Sequence, residues 1–171
     1  MNKEKFWEIV ELAKKESEGN QEKYIEIIEL ELNKLTPKEI INFDEILDEL
    51  RAEAYNRELW GAAYVINGGC SEDGFEYFRG WLIAQGQLVY ENALKDPKTL
   101  ESSIIMDSSW DAEFEEFLYV AQQCYRKKTG SEMPERPYLH CELTGQDWDE
   151  DTVYSMFSSL YEKSESRFGD E

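Results

Sequence analysis

Apolar residues recur at spacings of three and four along almost the whole chain, and this repeat constrains the fold more than any other feature. In the runs from Ile25 to Leu35 and from Phe114 to Tyr125, most of the apolar side chains fall on one face of a helix. No stretch alternates apolar and polar residues for long enough to build a sheet. The sequence therefore predicts an all-α fold, a single compact bundle of about seven helices.

Local signals place the ends of several of these helices. Thr36, Pro37 and Glu39 have the residue types and the spacing of a capping box with proline at the first helical position. Ser71 is placed to cap another helix, and Gly130 is placed to end one. These caps predict helix boundaries independently of the apolar stripes.

One helix is predicted to be central because it is apolar around much of its girth. It carries apolar side chains from Phe75 to Leu88, on more than one face. Gly80 and Ala84 lie four residues apart in it, and an interior glycine costs a helix about 1 kcal/mol. We therefore expect a second helix to approach closely at Gly80.

The length of 171 residues fits one domain with one core. We predict a single helical domain over residues 1–171. Within it, residues 1–130 form the helical core, 131–147 an ordered loop, 148–164 a C-terminal helix and 165–171 a frayed tail.

The charge balance is strongly acidic and restricts the classes of partner. Aspartate and glutamate number 38 against 18 lysines and arginines, a formal net charge of −20. This charge opposes binding to nucleic acid and to anionic membrane surfaces, and the longest uncharged run, Leu59 to Ser71, is too short to span a bilayer. The acidic residues favour either a merely solvated surface or a docking surface for a basic protein partner.

Cysteine usage and the amino terminus favour the cytoplasm. Cys70, Cys124 and Cys141 are an odd number without paired spacing, which is typical of a reducing compartment. The residues from Met1 to Glu16 form a charged amphipathic pattern and not a secretory signal.

Several segments together resemble a bacterial family of unknown function, DUF4240. They are the Phe6-Trp7 pair, Leu59 to Gly86, Tyr90 to Pro97, Tyr119 to Gly130 and Trp148 to Asp151. The order of glycines and aromatic residues in Leu59 to Gly86 is the most specific of these features. The resemblance implies one compact bacterial domain and adds no reaction.

The sequence is poorly equipped for the common enzyme chemistries. His140 is the only histidine, which excludes a two-histidine metal site and leaves a loop residue as the simpler interpretation. No serine-hydrolase elbow, zinc-protease motif or phosphate-binding loop is present. We predict no cofactor and no metal, and an enzyme is less favoured than a binding protein.

One enzyme route remains, through carboxylates at helical spacing. Asp44, Glu45, Asp48 and Glu49 share a predicted helix, and with Glu26 and Glu29 they could hold magnesium. The simpler interpretation is a solvated face, since Phe43, Ile46, Leu47 and Leu50 define the buried side and the acids mostly fall off it.

Arg79 lies among aromatic residues, where a long cation must reach water or an acid. It either forms a structural ion pair, with Asp73, Glu76 or Glu58 as possible partners, or binds an anionic ligand. The surrounding rings are either core anchors or the lining of a groove. The candidate binding residues are Trp60, Tyr64, Asn67, Asp73, Tyr77, Arg79, Trp81 and Gln85.

Three functions stay open at this point. The favoured one is a non-catalytic protein-binding module that uses its acidic surface or a central aromatic groove. A narrower version is an immunity-type protein that neutralises a basic toxin by charge complementarity. The third is an enzyme, a magnesium-dependent hydrolase or another activity centred on Arg79.

Overall fold

The computed structural model of the chain is described here for residues 1–104, 111–137 and 139–168, and for residues 167 and 168 only in their backbone. These residues form nine α-helices and one 3-10 helix, and they contain no strand beyond an isolated bridge between Asn56 and Thr144. The all-α class is confirmed. The elements are α1 Lys3–Ser17, α2 Gln21–Asn33, α3 Pro37–Glu53, α4 Arg57–Asn67, α5 Glu72–Ala84, α6 Gln87–Lys95, the 3-10 helix Pro97–Ser103, α7 Glu115–Thr129, α8 Glu150–Met156 and α9 Ser158–Phe168.

The predicted caps are confirmed. The Thr36 side chain accepts from the Glu39 amide, and the Glu39 carboxylate accepts from the Thr36 amide at 2.9 Å. The Ser71 hydroxyl accepts from the Gly74 amide at 3.0 Å. Gly130 ends α7 in the left-handed conformation, with φ of 75°. Each cap satisfies backbone groups that the helix itself leaves unpaired.

Helix α5 is central, as predicted. It contacts α1, α3, α4, α6 and α7, and its Phe75, Phe78 and Leu82 side chains are fully buried. Helix α7 packs against α2, α3 and α5. The core therefore lies where α5 and α7 meet the first three helices.

The close approach predicted at Gly80 is confirmed. An ideal Cβ atom at this position would lie 2.8 Å from Leu118 Cδ2 and 2.9 Å from the Phe114 carbonyl oxygen. A backbone carbonyl cannot move aside as a flexible side chain can. Glycine is required there because the two helices touch.

The predicted number of about seven helices is wrong, and one reason lies at Gly86. The apolar pattern predicts one helix from Phe75 to Leu88, but α5 ends at Ala84 and α6 begins at Gln87. Gly86 takes a φ of 97°, which breaks the helix, and Glu11 Oε1 accepts from the Gln87 amide at 3.0 Å. A carboxylate from α1 thus caps α6 across the bundle.

The second reason lies at the C-terminus. The single helix predicted over residues 148–164 is two helices, α8 and α9, which are separated at Phe157. Phe157 is buried and approaches Gly61 of α4, so tertiary packing sets the break. Helix α9 continues to Phe168, so residues 165–168 are helical, and residues 169–171 lie outside the described residues. The fraying predicted from residue 165 stays a prediction.

Residues 143–148, in the segment between α7 and α8, lie against the start of α4 and are held there by hydrogen bonds. Arg57 Nη1 donates to the Leu143 carbonyl at 3.0 Å, and Trp148 Nε1 donates to the Arg57 carbonyl at 2.6 Å.

None of the described helices is both long enough and apolar enough to cross a membrane.

Candidate functional site

A cleft of about 610 Å³ opens between α3, α5 and the described part of the loop that follows α7, residues 132–137 and 139–141. Its volume lies in the usual range for ligand sites. Its described lining carries six carboxylates and three guanidinium groups, so it has a formal excess of negative charge. These charged residues are Asp44, Asp48, Glu72, Glu76, Glu132, Glu135, Arg51, Arg79 and Arg136.

Five of these side chains form a chain of alternating charges along one wall. Arg136 Nη2 donates to the Asp44 carboxylate and, at 2.6 Å, to Asp48 Oδ2. Arg51 Nη1 donates to Asp48 Oδ1 at 3.0 Å, and Arg51 Nη2 pairs with Glu76. Arg136 comes from the loop, so this network fastens the loop to α3.

Asp44 is the most buried member of the network, with 1% of its surface exposed. Burial raises its pKa above the ordinary value, and the hydrogen bonds from Arg136 and Gln122 offset part of that shift. The expectation that the acids of this helix fall off its buried face is therefore wrong for Asp44. Its carboxylate belongs to a structural network.

The proposed magnesium-binding residues do not converge. Asp44 and Asp48 are paired with Arg136, Glu49 lies 3.5 Å from Lys3, and Glu29 lies 2.7 Å from Lys127. Within the described ranges, no three histidine, cysteine, aspartate or glutamate side chains are grouped so as to hold a metal ion.

Arg79 is held differently from the other two arginines of the cleft. Its Nη1 donates to the Arg51 carbonyl at 2.9 Å and its Nε donates to the Phe75 carbonyl at 3.3 Å. Its Cζ atom lies 4.9 Å from the ring centre of Tyr55 and 5.0 Å from that of Phe75. Desolvation and the neighbouring Arg51 charge lower its pKa, so this cation lacks full electrostatic compensation.

The three acids suggested as ion-pair partners of Arg79 do not pair with it. Glu76 pairs with Arg51, Glu58 accepts from the Gln146 amide at 2.9 Å, and Asp73 is exposed. In the described part of the chain, no carboxylate oxygen lies within 4.0 Å of an Arg79 nitrogen. The ion-pair interpretation of Arg79 is wrong for these residues.

Three of the other candidates make contacts that stabilise the fold. Trp60 stacks on Phe75 with 4.8 Å between ring centres and donates from its indole to the Cys70 carbonyl at 3.0 Å. Tyr64 packs against Trp148 at 5.4 Å. Asn67 Oδ1 accepts from the Ala112 amide at 2.8 Å.

The remaining candidates are spread over other surfaces. Trp81 and Gln85 line a separate pocket of about 230 Å³ beside Tyr24. The Tyr77 carbonyl accepts from the Phe114 amide at 3.0 Å. Arg79 and Trp81 therefore line different cavities, and the eight candidate residues do not line one aromatic groove.

Several residues that complete the cleft were not predicted from the sequence. Arg51 and Arg136 did not appear among the candidates, and Gln122 reaches Asp44 from α7. The sequence feature that could have indicated the contact of the loop with α3 is Arg136, which lies between Pro134 and Pro137 in the loop. His140 is exposed, whereas Cys141 lines the cleft.

The described residues define a class of protein: a helical domain with a charged cleft in which Arg79 has no ion pair. The chain belongs to the family described as "Protein of unknown function (DUF4240)", whose family model matches residues 1–127. This range contains Arg51 and Arg79, whereas Arg136 lies beyond it. Neither the curated proteins nor the solved structures that were compared gave a match.

Proposed function

We propose that this chain is a cytoplasmic, non-catalytic protein-binding module that receives a basic partner at the charged cleft. The observation that carries the proposal is the excess of carboxylates around a cavity large enough for several side chains. Glu72 and Glu135 are exposed on it, and neither side-chain carboxylate has a hydrogen bond or an ion pair within the described residues. Such carboxylates are available to cations of a partner.

The charge of the whole chain supports the same partner class. A net charge of −20 attracts a basic protein over long range and repels nucleic acid. All three cysteines are free thiols, which agrees with a reducing compartment.

An immunity-type role is the narrower form of this proposal. A small acidic domain can neutralise a basic toxin by covering its active surface with carboxylates. A gene for a basic toxin next to the gene for this chain would favour this form, and inhibition of that toxin by the purified chain would test it.

The proposal predicts that partner binding depends on the carboxylates of the cleft. We expect the triple variant Glu72→Gln, Glu132→Gln and Glu135→Gln to bind the partner recovered from native lysate at least tenfold more weakly than wild type. The association rate should also fall steeply as salt shortens the Debye length from ~10 Å at 0.1 M to ~3 Å at 1 M. Surface plasmon resonance measures both quantities.

A charge-matched control separates the cleft from the general field of the protein. The variant Glu16→Gln, Glu22→Gln and Glu26→Gln changes the net charge equally on exposed positions of α1 and α2. It should lose little affinity. Equal losses in the two variants, or a neutral partner whose association ignores salt, would contradict the proposal.

A further inference from the structure

We infer that Arg79 is the anion subsite of the charged cleft and binds a carboxylate, presented as the free C-terminus of a basic partner. This inference rests on the proposed function and names the chemistry that the cleft recognises. It starts from the unused donors of Arg79, whose guanidinium carries five N–H groups.

Two of these donors are used internally and the others are available. Nε and one N–H of Nη1 donate to backbone carbonyls, which leaves the second N–H of Nη1 and both of Nη2 without a partner among the described residues. The two carbonyls and the rings of Tyr55 and Phe75 fix the plane of the guanidinium. A fixed guanidinium with donors on both terminal nitrogens is suited to a bidentate ligand.

The surroundings of Arg79 favour a carboxylate over a phosphate. The cleft lining already carries six carboxylates, which repel a dianion more strongly than a monoanion. Arg51 and Arg136 are neutralised by Asp44, Asp48 and Glu76, so they do not add to the attraction. One cation without an ion pair among the described residues therefore matches one negative charge.

The position of Arg79 favours a chain end over an internal side chain. Arg79 lies half-buried between α3 and the loop residues 132–137 and 139–141. A C-terminus enters such a cleft with one chain segment, whereas an internal residue brings two. Basic side chains just before the terminus would then meet Glu72 and Glu135.

The test compares peptides whose ends differ. Three fluorescein-labelled pentapeptides that each contain two lysines are titrated with the protein at fixed salt. One has a free C-terminus, one has an amidated C-terminus, and one is amidated but carries a glutamate side chain. We expect the free terminus to bind about tenfold more tightly than the amidated one, the effect of one charge-assisted hydrogen-bond pair.

The sign of this difference is diagnostic. Amidation removes a negative charge from the peptide, so general attraction to a protein of net charge −20 would make the amidated peptide bind more tightly. In Arg79→Met the preference for the free terminus should disappear, and in Arg79→Lys it should be reduced. Lys5→Met, which removes an exposed cation outside the cleft, should keep the tenfold preference.

Each of the other possible results of these titrations contradicts a named part of the inference. Equal binding of free and amidated peptides leaves the basic-partner function in place and refutes the carboxylate subsite. Tight binding of the glutamate peptide refutes the assignment to a chain end. A preference that survives in folded Arg79→Met, as judged by its melting temperature, refutes the role of Arg79. No binding of any peptide refutes the carboxylate subsite, whereas the proposed function is decided separately by the glutamate variants and the partner from lysate.

Discussion

Asp44 shows how a single charged residue can belong to the interior of this protein. Its carboxylate is almost fully buried, and it is tolerated there because Arg136 and Gln122 donate to it. Burial still dominates, since the pKa of Asp44 is raised above its ordinary value of 3.8. The folded state therefore holds this proton more tightly than the unfolded chain does.

This shift predicts how stability depends on pH. The contribution of Asp44 to the unfolding free energy is complete below its unfolded pKa, about 3.9, and is lost as pH rises through its raised folded pKa. The variant Asp44→Asn cannot titrate, so wild type should gain stability relative to it when pH falls from 7 to 4.5. Urea unfolding at the two pH values measures the difference, with the exposed Asp151→Asn as matched control; a change in the opposite direction would show that Arg136 dominates.

At the scale of elements, the contact between α5 and α7 brings Arg79 and Gln122 to the same cleft. The two helices approach closely because Gly80 has no side chain at the point where Phe114 and Leu118 lie against it. Gly80, the residue after Arg79, therefore sets how closely α5 packs against α7, and with it the position of Arg79. Packing and site geometry depend on the same contact.

Gly80→Ala should destabilise the protein by up to about 2 kcal/mol. The higher helix propensity of alanine stabilises the variant by about 1 kcal/mol. The added methyl group, however, meets a backbone carbonyl, and such overpacking destabilises by about 1–3 kcal/mol. Gly74→Ala in the same helix is the control, because its nearest neighbours are the side chains of Glu113 and Ser71 at 3.2 and 3.3 Å. Chemical denaturation measures both variants, and equal effects at the two positions would argue against a tight contact at Gly80.

The whole molecule buries one continuous set of apolar side chains, and the last two helices are part of it. Val153, Phe157 and Leu160 are buried with the core, and α9 packs on both α4 and the 3-10 helix. The strongly negative charge opposes this compaction only modestly, because water and salt screen exposed carboxylates.

A shared core predicts one cooperative unfolding transition. Far-ultraviolet circular dichroism reports all helices, while fluorescence reports the five tryptophans, which include Trp7 in α1, Trp60 in α4, Trp81 in α5 and Trp148 before α8. The two thermal curves should coincide, with one midpoint. Separate midpoints would mean that the single-domain prediction is wrong.

The sequence alone determined the local features of this protein. Helix starts such as Thr36 and Ser71, the stop at Gly130 and the close contact at Gly80 were predictable, because caps and stripes depend on residues a few positions apart. The net charge and the isolation of Arg79 among aromatic residues were also visible. These features identify one member of the candidate site.

Only the tertiary structure decided the cleft itself. The pair of Asp44 and Arg136 joins residues 92 positions apart. Glu76, one of the possible partners of Arg79, forms its ion pair with Arg51 instead. The breaks at Gly86 and Phe157 likewise depend on Glu11 and Gly61, which come from other helices. In each case, groups far apart in the sequence compete for one partner or for the same space. The outcome depends on the distances between them in the folded chain, which the order of residues does not give.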